Sequence, residues 1–115
     1  MRKTLLSVGT NLSLLGIRNT VFVAAGYSVI PAKSCAEAEK AIHSRRLSAV
    51  IVGHSLSKNL RERIVATAKE RQLPIVVLHA NAYEAPVALA DANLCGIDGA
   101  AQITQVLTDL LAEAH

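Results

Sequence analysis

The stretch Leu47 to Ser57, LSAVIVGHSLS, constrains the fold of this chain more than any other. Ser48 to Val52 is a β-branched run without charge, which predicts a strand buried on both faces, the kind found at the centre of parallel sheets. It ends in Gly53-His54-Ser55. In open parallel α/β sheets, ligands and chemistry collect at the carboxyl ends of the central strands, so the residues after Val52 should hold the natural site. The first residue there is a glycine, which has no reactive group.

With 115 residues, 51% of them hydrophobic, the chain has enough apolar side chains for one core, and we expect a single domain over residues 1–115. Aromatic residues make up 3% and Trp is absent, so the core must be built from Ala, Val, Ile and Leu, as where helices pack closely on a sheet. Cys35 and Cys95 are too few for a disulfide framework and point to a reducing, cytoplasmic location. MRKTLLSVG reads as a first strand rather than a signal peptide, because Gly-Thr-Asn interrupts the short apolar stretch. No apolar run approaches the roughly 20 residues that span a bilayer, so no membrane is expected as a partner.

The formal charge is +3, and Lys58 to Arg71 carries an equal local excess: Lys58, Arg61, Arg63, Lys69 and Arg71 against Glu62 and Glu70. On a helical wheel Leu60, Ile64, Thr67 and Ala68 gather on one side, with Lys58, Arg61, Glu62 and Lys69 opposite. That is the pattern of an amphipathic surface helix and argues against nucleic acid as a partner.

In chain order, strands alternate with helices. Thr4 to Val8 is a short apolar strand. Asn11 suits the N-cap of a helix running to about Ala25, with Leu14, Ile17 and Val21 as its expected core stripe and Gly26 as its stop. Tyr27 to Ile30 reads as a second strand, which Pro31 ends or pushes to an edge. Ser34-Cys-Ala-Glu37 has capping-box spacing, and the helix it opens ends beside Arg45 and Arg46. The central strand and the basic helix follow, then an apolar strand, Pro74 to Leu78, ending at His79-Ala80. Asn81 to Leu89 contains Pro86 and has room for about two helical turns. Ala92 to Cys95 is a weak last strand stopped by Gly96, and Gln102 to Glu113 closes the chain with Ile103, Val106, Leu107, Leu110 and Leu111 at helical spacing. The pattern predicts a doubly wound five-stranded parallel sheet with helices on both faces.

The order of elements and several phrases, AAGYSV (Ala24 to Val29), SAVIVG (Ser48 to Gly53), LPIVVLHA (Leu73 to Ala80) and ADANLCG (Ala90 to Gly96), resemble the receiver domains of two-component response regulators. The resemblance implies a flavodoxin-like sheet with strand order 2-1-3-4-5 and, here, a shortened fourth helix. Receivers carry an acidic pair after strand one that holds Mg²⁺, a phosphorylated aspartate after strand three, a Thr or Ser after strand four and a Lys after strand five. Laid onto this chain, the acidic pair falls on Gly9 and Thr10, the aspartate on Gly53, the hydroxyl on His79 and the lysine on Gly96. The aromatic switch position falls on Asn93. Mg²⁺ needs hard oxygen ligands and an aspartyl phosphate needs a carboxylate, and these positions supply neither. The resemblance therefore implies a degenerate pseudo-receiver without catalytic residues, metal or cofactor, acting by binding a histidine kinase, a response regulator or itself.

A competing reading is a small-ligand or metal-binding domain that uses the emptied pocket, with His54, His79 and Cys95 at neighbouring strand ends. No CxxC or HxxxH spacing supports it. Cys35 in a first helical turn has no assignable base, and Val8-Gly9-Thr10-Asn11 lacks the full glycine fingerprint of a phosphate loop. For association we expect a homodimer or heteromeric complex through the face of Tyr83, Pro86, Val87 and Asn93, where a short fourth helix would cover less of the last strands. Helix one, with Leu15, Phe22 and Val23 beside its core stripe, is a second candidate surface.

Overall fold

A computed structural model describes residues 3–10, 12–79, 87, 89–95 and 100–113. The strands are β1 (Thr4–Val8), β2 (Ser28–Ala32), β3 (Ala49–Val52), β4 (Ile75–His79) and β5 (Ala92–Cys95), and the helices are α1 (Leu12–Ala24), α2 (Cys35–Ser44), α3 (Lys58–Glu70) and α4 (Ala100–Glu113). All strands are parallel, in the order β2-β1-β3-β4-β5. The doubly wound sheet and its order are as expected. The segment expected to carry a shortened fourth helix lies almost wholly outside the described residues, and so do Tyr83, Pro86, Gly96 and the expected N-cap Asn11.

Strand alternation sorts the apolar side chains into two layers. Leu6, Val8, Val50, Val52, Ile75 and Val77 face α2 and α3, where Ala38, Ile42, Ile64, Val65 and Ala68 close the core. Leu5, Ala49, Ile51, Val76 and Leu78 face the other way, against Phe22, Ile103, Leu107 and Leu111 of α1 and α4. β3 is buried along its whole length, as its uncharged β-branched run requires.

Local signals fix the ends. Ser34 Oγ accepts from Glu37 N at 3.1 Å, while Glu37 Oε2 accepts from Lys33 N at 2.9 Å, so the box before α2 satisfies two orphan backbone donors. Gly26 ends α1 at φ 99, a left-handed conformation that glycine adopts without a Cβ clash. β2 continues through Pro31, which lies on the sheet edge. Ser28 N bonds to Lys3 O and Gly9 N to Ala32 O, so the alternate position 31 turns its nitrogen away from β1.

Two helix faces differ from expectation. In α1, Phe22 is fully buried whereas Ile17 is 66% exposed, so the expected core stripe is rotated. The helix is apolar nearly all round, and periodicity alone could not choose its inward side. In α3, Arg61 is buried and Leu60 exposed, the reverse of the wheel. A polar partner on β4 draws Arg61 inward.

Candidate functional site

The carboxyl ends of β1 and β3 lie side by side, with Val8 opposite Val52 in register. Gly53 N donates to Val8 O at 2.8 Å. The loops that follow are tied together: Thr10 N donates to Ser55 Oγ at 2.9 Å, and Thr10 Oγ1 donates to Ser55 O at 3.2 Å. Gly9, Thr10 and Gly53 thus come together at the switch point between β1 and β3, where a doubly wound sheet binds its ligands.

What fills the site is a residue that motif reasoning missed. Alternation along β1 turns Ser7 toward α1, where its hydroxyl is fully buried and needs a partner. Arg18 supplies it, with Nε at 3.3 Å and Nη2 at 3.0 Å from Ser7 Oγ, and Nη2 also donates to Val8 O at 3.1 Å. So held, the guanidinium lies over Gly53: a Cβ built there would sit 3.3 Å from Arg18 Nη1 and 3.6 Å from Nη2. Burial pulls the Arg18 pKa down to about 10, which leaves it cationic at neutral pH. The pocket expected to be empty at position 53 is therefore occupied by the chain's own cation. The available signal was that Arg18 is the sole charged residue of α1.

A fixed cation inverts the chemistry of this place. Divalent metal is bound by carboxylates, and Gly9, Thr10 and Gly53 have none. A guanidinium over Gly53 also repels a second cation at short range, where a low dielectric strengthens the repulsion. Among the described residues no group of three or more His, Cys, Asp or Glu side chains is placed to hold a metal ion.

His79 of the competing pocket does not share a face of the sheet with position 53. His79 is buried on the α3 side of the sheet, whereas a side chain at position 53 would point toward α1. His54 is half-buried in the turn after β3. Cys95 lies opposite His79 in the backbone register, and of Cys95 only the backbone is described.

His79 instead joins a chain of hydrogen bonds. Arg61 Nη1 lies 3.4 Å from His79 Nδ1 and His79 Nε2 lies 2.8 Å from Asn93 Oδ1. A guanidinium only donates, so Nδ1 accepts and Nε2–H donates to Asn93. Asn93 Oδ1 also accepts from Val87 N at 2.9 Å, and Asn93 Nδ2 donates to Val87 O at 3.2 Å. His79 and Asn93 are thus bonded directly to each other, and Asn93 to the segment between β4 and β5.

This network corrects the expected interaction surface. Val87 is buried in the α2–α3 core layer and Asn93 is half-buried, because the amide of Asn93 closes on both backbone groups of residue 87. Leu89 remains 57% exposed beside a cavity of about 210 Å³ lined by Glu62, Val65, Val87 and Leu89. Phe22, expected beside the core stripe of helix one, belongs to the core; Val23 is 51% exposed.

No family model matches the chain, and no curated protein does. Solved structures do. The receiver domain of a Francisella response regulator superposes with a TM-score of 0.86 at 12% identity, covering 99% of this chain and all of that one (100%). A CheY-like receiver domain from Methanospirillum hungatei gives 0.85 at 15% identity, covering 98% and 96%. The fold is that of response-regulator receiver domains. A third structure with the receiver fold, from a sensor histidine kinase of Pseudomonas aeruginosa, gives 0.82 at 18% identity over 97% and 99%, and was solved with a magnesium ion in its active-site cleft.

Proposed function

We propose that this chain is a receiver-like domain of two-component or phosphorelay signalling that has given up phosphoryl transfer and acts by binding a protein partner. The observation that carries the reading is Arg18 seated over Gly53, held by Ser7 and Val8 on a receiver fold. A receiver phosphorylates a carboxylate with the help of Mg²⁺; here a guanidinium stands where negative charge would be needed, and Gly53 has no nucleophile. The domain is not an enzyme in this reading and needs no cofactor.

The second support is the network through His79 and Asn93. The resemblance lays the hydroxyl and aromatic positions of a switching receiver on these two residues. Here each is committed to the other by a 2.8 Å hydrogen bond, which holds the β4–β5 side in one arrangement. A domain fixed in this way serves as a standing docking module, with a histidine kinase, a response regulator or a second copy as partner. Exposed apolar side chains at Ile17, Val23 and Leu89 supply surface for such contacts. No helix among the described residues is long and apolar enough to cross a membrane.

Crosslinking in the native cell tests the reading. A kinase or response regulator should be trapped equally well whether or not the relay is stimulated, with no phosphate on this chain. Phosphate appearing on it under stimulation, or a partner gained only then, would defeat the proposal.

A further inference from the structure

We propose that the groove between β2 and α2 docks an acidic segment of a protein partner, one apolar side chain entering the groove while neighbouring carboxylates meet Lys40 and Arg45. The inference rests on the reading of the domain as a docking module and adds to it a surface and a chemistry. Its failure would leave docking elsewhere, and the crosslinking result, untouched.

The groove has a volume of about 260 Å³. Ile30, half-buried, and Ala41, buried, form its bottom, and the exposed Pro31, Glu37, Lys40 and Arg45 form its rim. Sites that enclose a small-molecule ligand measure roughly 300–1,000 Å³, so this smaller groove suits a single side chain presented by a larger partner. β2 is an edge strand, to which a partner could in principle add a strand of its own. Pro31, however, occupies a position whose nitrogen faces away from β1, and proline has no N–H to donate there. Recognition at this edge therefore falls to side chains.

Charge identifies the partner. The basic stripe of α3 is largely neutralised within the chain, because Lys58, Arg63 and Lys69 pair with Glu62, Glu39 and Asp91 at 4.0, 3.0 and 3.0 Å. Beside the groove the reverse holds. Among the described residues Lys40, Arg45 and Arg46 have no carboxylate partner, nor has Arg71, whose Nη2 donates to His43 Nδ1 at 3.1 Å in the last turn of α2. The acids of α2 are already engaged, Glu37 Oε2 with Lys33 N at 2.9 Å and Glu39 with Arg63. Unpaired cations at the rim of an apolar groove complement a segment in which an apolar residue lies next to Asp or Glu. Glu37 gives the groove a direction, with the partner's carboxylates lying toward the end of α2. Nucleic acid fits less well, since no aromatic side chain lines the groove to stack a base and Glu37 would face the phosphates. The competing account is that Arg45 and Arg46 only complement the negative pole of α2; it leaves Lys40, in the body of the helix, and the apolar bottom without a role.

The test is an amide chemical-shift titration of the full chain, at constant ionic strength, with a synthetic peptide of one leucine followed by a run of glutamates. The expected result is a saturable shift centred on Ile30, Ala41 and Arg45 with a midpoint on the order of 1 mM or below. Binding should weaken by about fivefold or more in the Lys40→Gln, Arg45→Gln double variant, and by about as much when serine replaces the leucine of the peptide. Shifts that do not saturate, that centre away from the groove, or that are equally strong with the serine peptide would overturn the proposal. Tighter binding at the same place by a single-stranded oligonucleotide of equal charge would overturn it too, by assigning the face to nucleic acid. Should the double variant fail to fold, the leucine and serine peptides compared on the wild-type chain decide.

Discussion

Placing side chains at Gly53 tests the geometry most sharply, because two effects of opposite sign meet there. Gly53 N donates to Val8 O, and a Cβ at position 53 would lie 2.8 Å from that same oxygen. The φ of Gly53 is outside the left-handed region, so the cost of a side chain is contact rather than conformation. Either the end of β3 moves away from β1 or the hydrogen bond lengthens. Overpacking of this kind costs about 1–3 kcal/mol, which is the destabilisation expected for Gly53→Ala. Gly53→Asp meets the same backbone oxygen but brings a carboxylate to the open edge of Arg18. A charge-assisted hydrogen bond contributes about 1.5–3 kcal/mol, enough to cancel most of the steric cost.

Gly53→Asp should therefore be more stable than Gly53→Ala by about 1–3 kcal/mol in urea unfolding at neutral pH. In an Arg18→Gln background the order should invert, because the carboxylate then sits near Val8 O without a cation. Neither variant should accept a phosphoryl group, since the new carboxylate is engaged by Arg18 and metal ligands are still lacking. Gly53→Ala equal to wild type would refute the close approach. Asp less stable than Ala with Arg18 intact would refute the cation over position 53.

Val87→Asp should destabilise by about 3–5 kcal/mol in thermal or urea unfolding, by burying an unpaired charge, rather than alter association alone. Asn93→Ala should cost about 1–3 kcal/mol and abolish exchange protection of the Val87 amide; retained protection would break the proposed network. Phe22→Ala should cost about 3–5 kcal/mol while Ile17→Glu stays within about 0.5 kcal/mol of wild type, and the reverse order would restore the original helix face. For Glu39, partial burial raises the carboxyl, but hydrogen bonds from Cys35 and Thr67 and the Arg63 guanidinium at 3.0 Å outweigh it and leave the pKa below the ordinary value. Its contribution is then present above the unfolded value of about 4.3 and lost as pH falls through the lower folded value, so the stability gap between wild type and Glu39→Gln should close on acidification.

The strands were legible because the apolar runs are short, uncharged and punctuated by Gly, Pro and capping residues, whereas their order was implied only by the resemblance to receiver domains. Ser34 and Glu37 announced α2, and Gly26 the end of α1, through backbone hydrogen bonding that is local in sequence. What escaped was non-local. The inward turn of Arg18 depends on Ser7, eleven residues earlier, and on the missing side chain at Gly53; a cation in an apolar helix reads as surface until those partners are known. Arg61 escaped in the same way, because its place depends on His79 across the core. The burial of Val87 followed from Asn93, which substitution reasoning had marked as a lost aromatic rather than as an amide that can hold two backbone groups. That Gly9, Thr10 and Gly53 carry no carboxylate could be read directly, but not that Arg18 lies over Gly53.

We propose that a receiver fold has here exchanged a metal and phosphoryl site for a built-in cation. The most direct test of this exchange is the intact mass of the protein after incubation with Mg²⁺ and a small phosphodonor, read together with a Mg²⁺ titration of the Gly53 and Thr10 amides. An unchanged mass and amides that do not respond to Mg²⁺ beyond a matched salt control are predicted. One added phosphoryl group on any residue of the chain, or saturable Mg²⁺ binding at Gly53, would contradict it.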